Sequence, residues 1–530
     1  MWEKRYNALK KFSYIFLLCL LALTVVGCGG NKEKKAKAPN DVLVVGIAFD
    51  LATLDPAVTM DNASWKVTYP CYDRLVQYKV VDGKSTTEVE PMAAESWTVS
   101  EDGKEWTFKL RNNIKFHDGN PLNAEAVKFS FDRVLKLKKG PSDYFPTLAE
   151  TVVVDEYTVK FILSESFPPF LYTLATNGAN IINPKVMQHE KDGDMGMAYL
   201  GENTMGSGAY ELKEWNRGQN IKLAAFADYW QAQPSLKTIL IQFIKDPSAQ
   251  RLQLENGDID IAENIPVDQI DQLKSNKDLK IHEEPSLLVS YIYINNQKEP
   301  FNDIKVRKAL NYAIDRNAVI QGSIKGKGTP LEGPIPQGLW GYDKDLIGYS
   351  VDIEKAKALL AEAGYPDGLT LKFLYSDYKD FWESEALLIQ DNLAKIGVKV
   401  ELEKVAWATL RDKVDRGDFD LCIGAWSPDY ADPQMIMTYW YDSRMFGLAG
   451  NRAFYSNSQV DEMLRAAEIS NDQEERTRLY QQAQKIVVDE AAYVLLFQTN
   501  SIIAMRKNVE GFVYNPMLEY MYNFATMKKN

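Results

Sequence analysis

The sequence predicts an α/β protein of several domains, and three observations lead to this fold class. The chain has 530 residues, and at roughly 100–200 residues per domain this length predicts about three domains. Residues 97–111 have the alternating pattern of a β-hairpin, whereas residues 352–426 alternate predicted strands with predicted helices. A repeated strand–helix order favours a parallel sheet with right-handed crossovers. A β-rich part therefore precedes an α/β part along the chain.

The amino-terminal residues 1–27 predict a lipoprotein signal peptide. Four basic residues within the first eleven positions precede an apolar stretch at 12–26, which is shorter than the roughly 20 residues of a membrane span. Residues 25–27 and Cys28 resemble the bacterial lipobox, and the resemblance implies that Cys28 carries the lipid, such as palmitate. The alternative is an uncleaved anchor with an incidental cysteine. Residues 28–40 are polar and rich in lysine, so we expect a lipid anchor and a flexible tether there.

The β-rich part contains a clear hairpin signal. Trp106, Phe108 and Leu110 alternate with polar residues, which places them on one face of a half-buried strand. Asp102-Gly103 separates this run from the preceding one, and that dipeptide favours a tight hairpin turn. This pattern predicts structure and carries no chemistry.

The α/β part begins with a helix that Asp352 caps and that Gly364 ends in the left-handed conformation. The elements that follow are a strand at 369–375, a helix at 382–396, a strand at 398–405, a helix at 407–416 and a strand at 419–426. Ligands in parallel sheets bind beyond the carboxyl ends of the strands. This rule makes the loop at 427–434 the candidate binding segment.

The loop contains Asp429 and Asp432 beside the aromatic residues Trp426 and Tyr430, and Trp407 lies one helix away. A carboxylate next to aromatic side chains suits a ligand with a cationic group on an apolar or planar body. The alternative is that the tryptophans belong to the core and that the Asp-Pro pair at 432–433 is only a turn.

Composition and motifs exclude several other classes of protein. The chain is 45% hydrophobic, enough for a packed core, and its net charge of −12 has the wrong sign for sequence-independent binding of nucleic acid. Three scattered histidines, His117, His189 and His282, argue against a metal site, so we expect no metal and no cofactor. The two cysteines of the body, Cys71 and Cys422, have no local spacing pattern and favour free buried thiols.

Catalytic motifs are incomplete. Ser376 and Lys379 match the Ser-x-x-Lys of penicillin-recognising enzymes, but the sequence lacks the Ser-Asp-Asn and Lys-Thr-Gly that accompany it. We therefore expect no enzyme, and a hydrolase using Ser376 and Lys379 remains the alternative.

Several longer motifs resemble the family 5 extracellular solute-binding proteins, which are the oligopeptide, dipeptide and nickel receptors of ABC importers. The matching segments are 91–97, 106–119, 206–212, 295–316 and 395–400. They occur in the family's order, and the resemblance runs from about residue 41 to about residue 525.

The resemblance implies a two-lobed fold like that of type II periplasmic binding proteins, in the three-domain cluster C, with a hinge and a central cleft. Lobe I would combine residues 41–75, 205–295 and 500–530, a β-rich domain II would cover 76–204, and lobe II would cover 296–499. The implied protein is a lipid-anchored monomer outside the cell membrane that captures peptides and delivers them to a permease. The alternatives are a nickel chelate, haem or an oligosaccharide on the same scaffold, and a sensor or adhesin without transport.

The resemblance also assigns roles to individual residues. The segment 426–430 is similar to the one whose aspartate pairs with the free α-amino group of the peptide, so Asp429 is the implied amino anchor and Tyr430 its neighbour. Trp426 and Trp407 match aromatic positions that line side-chain pockets, and Tyr144 of domain II is the candidate for a further wall. Extended peptides in this family are held through their main chain, as an added strand would be.

The carboxyl end of the ligand is where this chain departs from its relatives. Tripeptide binders have an arginine three residues before the tryptophan, where this chain has Ile423. Other relatives have a basic residue where this chain has Ser376 or Phe381. The remaining candidates for a carboxylate partner, each of them alternatively a solvated charge, are Lys379, Arg411 and Lys325.

Overall fold

The structure, a computed structural model, describes residues 39–518 and 521–530. The predicted signal peptide, Cys28 and most of the predicted tether lie outside the described residues. Among the residues that are described, no helix is both long enough and apolar enough to cross a membrane.

The strands and helices are numbered in chain order. The strands are β1 (Val42–Ile47), β2 (Val76–Val81), β3 (Lys84–Pro91), β4 (Ala94–Val99), β5 (Glu105–Leu110), β6 (Leu148–Asp155), β7 (Thr158–Leu163), β8 (Tyr210–Asn216), β9 (Asn220–Ala225), β10 (Thr238–Phe243), β11 (Ile261–Ala262), β12 (Leu279–Ile294), β13 (Gly328–Pro330), β14 (Thr370–Tyr375), β15 (Lys399–Lys404), β16 (Leu421–Trp426), β17 (Tyr493–Arg506), β18 (Val509–Glu510) and β19 (Lys528–Lys529). The α-helices are α1 (Asn62–Cys71), α2 (Ala124–Leu137), α3 (Phe170–Thr173), α4 (Met197–Leu200), α5 (Pro247–Asn256), α6 (Ile270–Leu273), α7 (Ile304–Ala313), α8 (Arg316–Ile324), α9 (Ile353–Glu362), α10 (Trp382–Ala394), α11 (Trp407–Asp415), α12 (Gln434–Tyr441), α13 (Ser458–Ile469) and α14 (Gln473–Asp489).

The largest sheet extends through most of the molecule in the order β15-β14-β16-β12-β17-β11-β1-β10-β9-β8, with β13 added beside β17. Two long antiparallel strands, β12 and β17, form its centre. Residues Leu279–Pro285 of β12 pair with the end of β17 that also pairs with β11. Residues Val289–Tyr293 pair with the start of β17, and Val289–Ile294 pair with β16. The register shifts between Pro285 and Val289. These two strands therefore connect the two halves of the sheet.

The predicted α/β order is confirmed, because β14 is parallel to both β15 and β16. The Asp352 carboxylate accepts the Lys355 backbone N–H at 2.9 Å, which is the predicted cap of α9. Helix α10 ends at Ala394 rather than at the predicted residue 396. Its last turn is closed by Gly397, at φ +81°, and by the Val398 N–H, which donates to the Leu393 carbonyl at 3.2 Å.

The predicted hairpin is also confirmed, with β4 and β5 antiparallel and Gly103 in the turn at φ +69°. Its sheet has the order β4-β5-β7-β6. Helix α2 contacts this sheet and is tied to the loop after β1 by a fully buried ion pair, in which two Arg133 nitrogens donate to the Asp55 carboxylate at 2.7 and 2.5 Å.

One apolar cluster joins the β-rich part to the α/β part. It includes Phe108 and Phe161 of the small sheet together with Tyr291 of β12, Trp440 of α12 and Tyr480 of α14. The two parts are therefore packed through a common core, in which aromatic rings supply much of the buried area. Cys422 lies in this core and Cys71 in another cluster, and both thiols are buried and free, as predicted.

Glu385 of α10 is buried against Ser290 of β12, and this burial predicts how the stability of the fold depends on pH. Its side chain is fully buried, the Ser290 hydroxyl donates to it at 2.6 Å, and burial raises the pKa of Glu385 from 4.5 to about 8. A raised pKa in the folded state stabilises the fold below the unfolded pKa, and this contribution is lost as the pH rises towards 8. We expect Glu385→Gln, which stays neutral, to gain stability relative to the native chain between pH 5 and pH 8, by about 1.4 kcal/mol per pH unit at most. Urea unfolding at several pH values measures this difference.

The matched control for this test is Glu383→Gln on the same helix, where the carboxylate is exposed and pairs with Lys404 at 2.9 Å. An exposed pair of this kind contributes little to stability, so no comparable trend with pH is expected. A constant difference between Glu385→Gln and the native chain from pH 5 to pH 8 would show that Glu385 is ionised in the fold.

Candidate binding site

The candidate site lies where β16 ends and the loop at 427–433 begins. Strand β16 pairs with β12 along its whole length, but with β14 only at Leu421 and Cys422. Residues 423–426 therefore have a strand partner on one side and an open edge on the other. An open edge presents backbone N–H and C=O groups that an extended ligand can use.

The two aspartates of the loop have different environments. Asp432 is fully buried, and its carboxylate accepts hydrogen bonds from Arg476 Nη2 and from the Gln434 backbone N–H, both at 2.9 Å. Burial raises the pKa of Asp432, and the neighbouring Arg476 opposes that rise. The guanidinium of Arg476 is itself held by the Ala467 carbonyl at 2.8 Å. Asp432 therefore fastens the loop to α14, and Asp429 is the exposed carboxylate of the pair.

Asp429 lies among tyrosine side chains. Burial raises the pKa of Tyr144, and the charge of Asp429 adds to that rise; the same two causes raise the pKa of Tyr439. The rings of Tyr144 and Tyr430 meet edge to face with their centroids 6.5 Å apart. The Tyr430 hydroxyl donates to Gln434 Oε1 at 2.6 Å, which fixes that ring. The structure thus brings together Tyr144, Tyr430 and Asp429, which are far apart in the sequence.

Trp426 is partly buried and lies beside a rigid aromatic cluster. Its ring meets Tyr439 edge to face at 6.0 Å and lies 6.1 Å from the ring of Trp440. Trp440 is fully buried and stacks on Tyr493 at 5.5 Å. The position of the Trp426 ring is therefore set by packing before any ligand arrives.

Arg452 lies next to Trp426, and the sequence analysis did not single it out. Its Nη1 donates to the Tyr293 hydroxyl at 2.7 Å and its Nε to the Leu448 carbonyl at 2.8 Å. The guanidinium carbon lies 5.4 Å from the centroid of the Trp426 ring. No signal in the sequence points to this residue, because it stands in a glycine- and asparagine-containing loop and only folding brings it to Trp426.

A small pocket adjoins Arg452. Its walls are aromatic, aliphatic and cationic; the lining residues are Tyr293, Trp382, Trp407, Leu410, Arg411, Val414, Ile423, Gly424, Ala425, Leu448 and Arg452. Trp407 and Arg452 therefore line the same pocket, and Arg452 also neighbours Trp426. Lys379 lies further out, with its ammonium 5.3 Å from the centroid of the Tyr378 ring, which stacks on Trp407 at 4.4 Å.

The residues considered for catalysis and for metal binding do not form a site. Ser376 is fully buried, and its hydroxyl accepts the Tyr378 backbone N–H at 3.3 Å. His117 bonds the Gly208 carbonyl, His189 stacks on Tyr199 and His282 packs against Phe512. Over residues 39–518 and 521–530, no group of three or more His, Cys, Asp or Glu side chains is arranged to hold a metal ion.

Comparisons with known proteins agree on one family. The model of the bacterial extracellular solute-binding proteins, family 5 (middle), matches residues 88–447. The chain is 50% identical over 495 residues to the "Probable D,D-dipeptide-binding periplasmic protein" of Escherichia coli (strain K12), covering 93% of this chain and 95% of the relative.

Two solved structures show the same fold over nearly the whole chain. HbpA2 from Haemophilus parasuis has a TM-score of 0.84 at 28% identity, covering 92% of this chain and 100% of its own. An ABC transporter-associated periplasmic binding protein from Helicobacter pylori, in complex with the peptide STSA, has a TM-score of 0.76 at 28% identity, covering 92% of this chain and 98% of its own.

The ion pair beneath the loop yields a stability test. Arg476→Met leaves the buried Asp432 carboxylate without its cation, and breaking a buried pair in this way costs about 3–5 kcal/mol. We expect a loss of that size in urea unfolding. The control is Arg478→Met on the same helix, whose exposed side chain lies 3.9 Å from Glu475, and for which we expect a loss below about 1 kcal/mol. Equal losses in the two variants would mean that Asp432 does not depend on Arg476.

Proposed function

The chain belongs to family 5 of the bacterial extracellular solute-binding proteins, and we propose that it captures short peptides, dipeptides in particular, and delivers them to the permease of an ABC importer. Membership makes it a binding protein of a transport system rather than an enzyme. The predicted fold class is confirmed by the agreement with periplasmic binding proteins over 92% of the chain. The dipeptide named for the 50% identical relative supports the choice of ligand length.

The observation that carries the proposal is the exposed Asp429 carboxylate between Tyr144, Tyr430 and Tyr439. A peptide's α-ammonium group binds such a carboxylate through charge-assisted hydrogen bonds. The faces of nearby aromatic rings add an attraction for the same cation. Asp429 is thus the proposed amino anchor, with Tyr144 and Tyr430 beside it and Trp426 and Trp407 next to the ligand's body.

The open edge at residues 423–426 supports recognition through the main chain. An extended peptide adds to such an edge as a strand, and its backbone bonds do not depend on its side chains. This mode tolerates different side chains in the ligand, and the charged groups at the two ends of the site then select for its termini.

Closure around the ligand would use β12 and β17, which connect the two halves of the large sheet. We place the hinge at the register shift between Pro285 and Val289, within the two-lobed division into 41–75, 205–295 and 500–530, domain II at 76–204 and lobe II at 296–499. A ligand drives closure only through contacts that it makes better in the closed state. Tyr144 of domain II beside Tyr430 of lobe II is one such pair of surfaces.

The proposal includes anchoring of the mature chain, as a monomer, through a lipid on Cys28, with residues 28–40 as the tether. A nickel chelate, haem or an oligosaccharide is a less favoured ligand, because the three histidines lie in separate environments and the 50% identical relative is named for dipeptides.

The test is the binding of D-Ala-D-Ala and L-Ala-L-Ala, with free and with acetylated amino termini, to the full chain in mild detergent after unfolding and refolding. A ligand at 100 times its Kd adds about 2.7 kcal/mol of stability, which a melting curve detects. We expect free-amine peptides to stabilise the native chain, and Asp429→Asn to weaken their binding about tenfold or more. Asp412→Asn, an exposed acid on α11, is the control and should leave affinity unchanged.

Two outcomes would contradict the proposal at different levels. Unchanged affinity in Asp429→Asn would remove this residue from the site and leave peptide binding standing. No stabilisation by any dipeptide would overturn peptide binding itself.

A further inference from the structure

We infer that Arg452 binds the terminal carboxylate of the ligand. This contact would make the site select for a ligand with a free carboxylate and for a short peptide. The inference rests on the proposed function, because it names the second anchor of the same site. It replaces the candidates that the sequence offered, of which Lys379 was the first.

The guanidinium of Arg452 is held in place before any ligand binds. Its Nε donates a hydrogen bond to the Leu448 carbonyl, and its Nη1 donates one to the Tyr293 hydroxyl. The guanidinium carbon lies 5.4 Å from the centroid of the Trp426 ring. None of these neighbours is a carboxylate. A preorganised cation of this kind loses little entropy when an anion arrives, and its planar fork matches a carboxylate.

Arg452 lacks the carboxylate partner that the buried Arg133 and Arg476 have. Arg133 pairs with Asp55 and Arg476 with Asp432, in both cases with the side chains almost fully buried. Within the part of the chain that the structure describes, Arg452 forms no ion pair, and its Nη2 donates to no protein acceptor. A partly buried cation is costly to leave without an anion, so the vacant nitrogen favours a ligand that brings one.

The pocket beside Arg452 has a positive character in an acidic protein. Two arginines, Arg411 and Arg452, line it, and none of its lining residues is acidic, although the chain carries a net charge of −12. Its other walls are apolar and aromatic, such as Ile423 and Trp407. A carboxylate next to an apolar side chain, as in the last residue of a peptide, fits these walls.

The two proposed anchors together suit a short zwitterion. Both anchors neighbour Trp426 and its aromatic partners. The Arg452 guanidinium carbon lies 5.4 Å from the Trp426 ring centroid, and the ring of Tyr439, whose pKa is raised by burial and by the charge of Asp429, lies 6.0 Å from it. Two extended residues span about 7 Å. In this arrangement a dipeptide has its ammonium group at Asp429 and its carboxylate at Arg452, and a longer peptide extends its carboxylate beyond Arg452.

The experiment measures the affinity of each protein variant for ligands with a free and with an amidated carboxyl terminus. D-Ala-D-Ala and L-Ala-L-Ala, each as the free acid and as the carboxyl-terminal amide, are titrated by calorimetry into the refolded full chain, Arg452→Gln and Arg452→Lys. We expect the native chain to prefer acid over amide by about 30-fold or more, Arg452→Gln to lose this preference, and Arg452→Lys to retain part of it. The preference is the ratio of the affinities for acid and amide in the same variant. A loss of fold stability lowers both affinities and therefore does not change this ratio.

Two further variants complete the design. Arg416→Gln, an exposed arginine just after α11, should keep the full preference for the acid. Lys379→Gln tests the competing residue, and a loss of the preference there, with its retention in Arg452→Gln, would overturn the inference. The same holds if the native chain binds acid and amide equally. In both cases peptide binding stands, whereas failure of the native chain to bind any of the four ligands would contradict the proposed function instead.

Discussion

The buried ion pair between Asp432 and Arg476 is the constraint on which the site depends. A carboxylate without access to water must be paired, and here the partner comes from α14. The pair fastens the loop after β16 to that helix, and Trp340 adds to the fastening because its indole N–H donates to the Ala431 carbonyl at 2.8 Å. With the loop held on one side, Asp429 is left exposed on the other. The protein thus uses one aspartate of the loop to position the second.

The central strands β12 and β17 connect the loop after β16 to the other half of the large sheet. β12 pairs with β16, which leads into the loop, and with β17, which reaches into the other half of the sheet. The side chains on one face of β12, such as Tyr291, pack into the aromatic cluster that supports Trp426 through Trp440. A change of angle between the halves of the sheet therefore acts on the same strands that carry the site.

Two opposite charges near one aromatic ring would fix the orientation of a ligand in the proposed site. In the proposed complex Asp429 binds the ligand's ammonium group and Arg452 its carboxylate, and Trp426, whose ring centroid lies 5.4 Å from the Arg452 guanidinium carbon, contacts the body of the ligand. A site of this kind selects by the free termini of a zwitterion and not by its side chains, since the open edge of β16 uses only main-chain groups. Neutral or singly charged compounds would make only one of the two charge-assisted contacts, at a cost in affinity.

The sequence by itself determined what depends on neighbours along the chain. The hairpin around Gly103, the cap at Asp352 and the strand–helix order of the α/β part follow from local periodicity and turn chemistry, and the loop after β16 follows from that order. Only the tertiary structure separated buried Asp432 from exposed Asp429, placed Tyr144 against Tyr430 and brought Arg452 to Trp426. These contacts join segments that are remote in sequence. Burial and pairing are properties of the packed chain, and no local pattern of residues records them.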